Sequence, residues 1–156
     1  MAHFSPLRAL RRTPSVLTRV RAAASVERSV LFFAEDRSDW LHIGPLAHHL
    51  EETGYLVLRL TADPKDPVIS NHDGLFIGRT VAAANLFLRL PPCVLVTTMT
   101  DLDTYHLKRS VNDVHYVYVF HSLLSTHRAY RANAFDAYDS IFCASPNHLL
   151  ELQTVA

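Results

Sequence analysis

Two hydrophobic patterns alternate along the chain. Residues 29–34, 55–60, 93–98, 115–120 and 140–144 are short apolar runs rich in β-branched and aromatic residues, and they read as buried strands. Between them the apolar positions recur at helical spacing. Trp40, Ile43, Leu46, Ala47 and Leu50 mark one face of a helix, with Ser38 or Asp39 as its N-cap and Gly54 at its left-handed end. Residues 61–73 read as a polar loop. A second helix is predicted over 75–90, stopped by Pro91-Pro92, a third over 126–138, and a fourth from Pro146, a favoured first position. Apolar strands alternating with helices predict an α/β fold, a doubly wound, mostly parallel five-stranded Rossmann-like sheet of order 3-2-1-4-5. Ligands of such sheets bind beyond the carboxyl ends of the strands, beside the switch between strands one and four. The residues at those ends are Glu35, Asp36, Arg37, Ala62, Asp63, Thr100, Asp101, His121, Ser122 and Ser145.

Composition narrows the class. With 156 residues the chain suits one domain, which buries roughly two-thirds of its exposable surface. An apolar share of 49% and only four glycines exclude intrinsic disorder. No run approaches the ~18 apolar residues of a membrane span. Two cysteines, Cys93 and Cys143, are too few for a disulfide scaffold, so a reducing, cytoplasmic setting is expected. Equal numbers of acids and bases argue against a nucleic-acid partner. The balance is uneven along the chain, however. Residues 1–26 hold five arginines and no acid, leaving the domain at 27–156 with a net charge of minus five. Leu7, Leu10, Leu17 and Val20 give the basic segment a weak amphipathic pattern. Three readings stand: peripheral contact with anionic lipid at the inner face of a membrane, a transit-like leader, or a weakly structured tail. Pro6 and Pro14 favour the tail.

The chain has no P-loop, no dinucleotide glycine fingerprint, no CxxC pair and no HExxH, so no metal or cofactor is expected. His42, His48 and His49 fall on the solvent side of their helix. His121 differs, because it follows the run Tyr116-Val-Tyr-Val-Phe120 and emerges where a buried strand reaches the cleft. An imidazole there can act as a general base, or simply bond a neighbouring loop. His127 is expected to order the first turn of the next helix. Asp101 and Asp103 can bind a hydroxylated ligand or cap a turn, and Lys108 and Arg109 can face phosphate or solvent.

Two segments resemble known enzymes. Residues 40–54, Trp-Leu-His-Ile-Gly-Pro-Leu-Ala-His-His-Leu-Glu-Glu-Thr-Gly, are similar to the first helix of GT-B glycosyltransferases. The stretch Tyr116-Val-Tyr-Val-Phe-His-Ser122, followed by Phe135-Asp-Ala-Tyr-Asp-Ser-Ile-Phe-Cys-Ala-Ser-Pro146, resembles the CDP-glycerol glycerophosphotransferase-like family of the teichoic-acid-polymerase type. The resemblance spans residues 29–152 and implies the N-terminal lobe of a GT-B fold. It implies His121 as the catalytic base toward an acceptor hydroxyl. Glu35, Asp36, Asp101, Ser122 and Ser145, at the same strand ends, are the expected ligand-binding residues. Ser122-Leu-Leu124 stands where the family has Gly-Thr-Pro, a departure at the position where glycine permits close backbone approach. The family's donor nucleotide sits chiefly in a second lobe. The expectation is therefore the acceptor-side half of a surface-polymer transferase, inactive without a second lobe or neighbouring-gene product. Its substrates would be a nucleotide-linked donor and a polyol or sugar acceptor. Leu149, Leu150 and Leu152 would then be exposed and promote association. The alternative is a non-catalytic, flavodoxin-like interaction module. Glu35-Asp36 imitates the acidic pair of receiver domains, but Thr100 and Ala144-Ser145-Pro146 stand where receivers carry aspartate and lysine.

Overall fold

A computed structural model describes residues 14–71, 74–121, 130–131 and 133–155. Among the described residues the five apolar runs and one further short segment form six parallel strands: β1 (Ser29–Ala34), β2 (Leu56–Thr61), β3 (Gly74–Phe76), β4 (Cys93–Thr97), β5 (Val114–Val119) and β6 (Ser140–Phe142). Among the described residues the α-helices are α1 (Val16–Ala24), α2 (Trp40–Glu52), α3 (Val81–Phe87) and α4 (Pro146–Val155). The sheet order is β3-β2-β1-β4-β5-β6, the doubly wound Rossmann-like arrangement, with β1 and β4 flanking the switch point.

The strands are continuous apolar runs because both of their faces are covered. Alternate residues of β1 enter two separate cores. Leu31 and Phe33 join Val20 of α1, Leu86 and Phe87 of α3, and Leu95 and Tyr116. Val30, Phe32 and Ala34 join Ile43 and Ala47 of α2 and Val57, Val96 and Val117. The rings of Phe33 and Phe87 meet edge to face at 5.0 Å.

The structure departs from the sequence reading in four places. The loop expected at 61–73 is followed by a strand rather than by the start of a helix. Gly74, Leu75 and Phe76 pair with Arg59, Leu60 and Thr61, and the helix is confined to Val81–Phe87. This short edge strand takes third place in the order, so the neighbour of β1 at the switch is the 93–97 run, not the 115–120 run. Gly78 at φ +82° and Thr80 at φ 47° break any helix between the two elements. Residues 133–137, expected to be helical, form turns, with Asn133 left-handed; most of the rest of that predicted helix lies outside the described residues. Finally, the basic segment expected to be weakly structured contains α1, capped by Ser15 Oγ accepting from the Thr18 amide, with Val20 fully buried. Among the described residues no helix is long and apolar enough to cross a membrane.

Candidate functional site at the carboxyl ends of the strands

The loop after β1 shapes one side of the site. Asp36 accepts from the Ser38 amide and hydroxyl, while Asp39 reaches back to accept from the amides of Glu35 and Asp36. Of the two expected caps of α2, Asp39 occupies the position, but its carboxylate ties down the loop rather than the helix. This leaves the Asp39 charge close to three strand-end groups, Glu35, Tyr118 and His121.

The other side comes from β5. His121 follows Phe120 at the strand end and is exposed, with its ring centroid 5.8 Å from that of His42 on the first turn of α2. Its Nδ1 lies 3.4 Å from the Tyr118 hydroxyl, and that hydroxyl in turn donates to the Tyr130 hydroxyl at 3.5 Å. Both contacts are long, yet their direction matters. With the Tyr118 proton directed to Tyr130, the Tyr118 oxygen is open to accept from His121 in the tautomer that carries its proton on Nδ1. The neutral imidazole then keeps its lone pair on Nε2, the arrangement a base requires. Burial holds the Tyr118 phenol far above its ordinary pKa, so it stays protonated. Tyr118 is fixed by ring contacts to Phe120, Phe135 and Tyr138 at 5.1, 4.9 and 5.3 Å.

Desolvation lowers the pKa of His121, the neighbouring His42 lowers it further, and Asp39 opposes them. Glu35 moves the other way: desolvation raises its pKa, Asp39 adds to the rise, and His106 pulls it down. One strand-end carboxyl thus gains protons more readily and one imidazole less readily than usual. Such opposed pairs recur at sites of proton transfer.

The expected residues separate on this frame. His121 and Glu35 share the neighbourhood of Asp39, and Glu35 and Asp101 share that of Tyr138, whose pKa both raise after desolvation. Asp101 is ion-paired with Arg131 Nε, and its left-handed backbone donates to the Ala134 carbonyl. Asp36 is committed to the turn at Ser38, whose amide and hydroxyl bonds lower its pKa. Ser145 Oγ accepts from the His148 amide at 3.3 Å and so caps α4. Ser122 and His127 lie outside the described residues.

The basic pair after β4 is structural. Arg109 donates to the carbonyls of Ala137 and Val114, bridges Asp139 at 3.0 Å, and stacks 4.7 Å over the Tyr116 ring. Lys108 donates to the carbonyls of Asp103 and Thr104. Asp103 forms a turn, accepting from the Arg109 amide, as the capping alternative requires. Both cysteines are free thiols, and burial pushes Cys93 up to about 12.

Sequence reasoning missed His42, Tyr118 and Asp39. Tyr118 was visible three residues before His121, but its inward orientation depends on strand parity and the aromatic cluster. His42 was assigned to solvent, and it is exposed; that α2 begins beside the end of β5 is a fact of topology. The fold defines a Rossmann-like α/β protein, with a candidate histidine–tyrosine cluster at the carboxyl ends of its strands. No protein-family model, curated protein or solved structure matches the chain.

Proposed function

We propose that the chain is the acceptor-side lobe of a GT-B-type glycosyl- or glycerophosphotransferase, with His121 as its general base. The observation that carries this reading is the exposed imidazole at the carboxyl end of β5, with Nδ1 against Tyr118 and its basicity reduced by His42. In the reaction, Nε2 of His121 takes the proton of an acceptor hydroxyl. The oxygen attacks carbon or phosphorus of the nucleotide-linked donor, forming one bond as the bond to the nucleotide phosphate breaks. A depressed pKa keeps the imidazole neutral, and so able to accept, at pH values where an ordinary histidine is half protonated.

A transfer assay with CDP-glycerol and a polyol acceptor, on the purified chain with and without a neighbouring-frame product, tests the proposal. Turnover is expected only with the second component and is expected to fall about 100-fold or more in His121→Ala. Turnover that survives the substitution, or its absence under both conditions, overturns the reading in favour of a binding module.

A further inference from the structure

A cavity of about 400 Å³ lies between the start of α2 and the turn after β2. Its walls are the indole of Trp40, the backbone of Gly44, and Pro67 and Val68. The frame is fixed by partly buried polar bonds. Trp40 Nε1 donates to Asp66 Oδ2 at 2.7 Å, and the Val68 amide donates to Asp66 Oδ1 at 3.0 Å. Asp66 is only 3% exposed, so both oxygens are committed to holding the walls together. Arg59, which also lines the space, gives its fork to Glu51 through bonds of 2.6 and 2.8 Å.

Arg37 is different. It lines the cavity and is exposed, and among the described residues its guanidinium makes no hydrogen bond and no ion pair within 4 Å. Asn71 offers an exposed side-chain amide from the opposite loop. The space therefore has apolar walls, a volume in the range of small-molecule sites, and at its rim an exposed guanidinium whose charge also acts on the adjacent Asp36.

We infer that this cavity binds a small organic anion, a carboxylate with a compact apolar body, independently of the His121 site. The apolar body lies against Trp40, Pro67 and Val68, and the carboxylate meets Arg37, a planar donor suited to that group.

Trp40 is the single tryptophan and forms a wall of this cavity, so its fluorescence responds to binding there. The full chain is titrated with cyclohexanecarboxylate and, separately, with cyclohexanecarboxamide, its neutral analogue. A saturable change with the carboxylate is expected by ~10 mM, with the amide at least about tenfold weaker. Arg37→Gln is expected to remove that preference, and Gly44→Leu, which fills the space, to abolish both signals. No saturation with the carboxylate, equal binding of the two compounds, or undiminished carboxylate binding by Arg37→Gln overturns the inference. Circular dichroism of each variant confirms that loss of signal is not loss of fold.

Discussion

At the scale of single residues, the behaviour of His121 follows from what lies around it. Desolvation and the facing His42 both disfavour the charged form of His121, and Asp39 favours it. A proton NMR titration of the imidazole is expected to show a midpoint below the ordinary value of about 6.5. His42→Gln should move that midpoint up, and Asp39→Asn should move it further down. A midpoint at or above the ordinary value would contradict the arrangement described. The same shift bears on stability. Below the ordinary histidine pKa the unfolded chain takes up this proton before the folded one does. Whatever His121 contributes to folding is therefore present above that pH and is lost as the pH falls through its folded pKa. Asp139 has a lower window. Its desolvation is outweighed by the Tyr116 amide and Arg109, which depress its pKa, so its contribution is lost only as the pH falls through the acidic carboxylate range.

At the scale of elements, β3 shows how a three-residue strand depends on one missing side chain. A Cβ built on Gly74 would lie 2.6 Å from the Val68 carbonyl oxygen and 2.7 Å from its carbon, both backbone atoms that cannot swing aside. Gly74→Ala must therefore move β3 or the turn at Pro67–Ile69, at a cost of about 1–3 kcal/mol. A lowered urea midpoint is expected, with faster exchange of the Ile77 amide, which donates to Thr61 at the end of β2. Unchanged stability would mean that the turn gives way freely. Before the structure, β3 was hidden because Leu75 and Phe76 also fit the helical period that continues through Leu86 and Leu90. The long strands were legible for the opposite reason. Phe32 and Phe33 are fully buried on opposite faces of one strand, which no half-exposed helix permits. His121 was legible too, since a polar residue ending the apolar 116–120 run must emerge at the strand end. Its partners were not. Tyr118 and His42 reach it only through strand parity and the placement of α2, and neither is written in local periodicity.

At the scale of the whole molecule, the charge asymmetry acquires a physical interpretation from α1. Five arginines precede a domain of net charge minus five, which invites a lipid-surface reading of the first 26 residues. That reading needs a free apolar face, and the described helix has turned its own inward. Val20 is fully buried and Val16 and Leu17 pack on the same core, while Arg19 and Arg21 remain exposed. What α1 leaves for an anionic surface is charge without an apolar anchor, and such contact is weakened by salt. Residues 1–13, with Leu7 and Leu10, lie outside the described residues. The inward packing can be measured directly. Val20→Ala removes two methyl groups from a fully buried site and is expected to cost about 1.5–3 kcal/mol. Arg21→Ala, on the exposed side of the same helix, should change stability by less than about 0.5 kcal/mol. Urea denaturation separates the two variants. A Val20→Ala midpoint indistinguishable from that of the original chain would mean that α1 is not docked in solution, returning its apolar stripe to a surface or a partner.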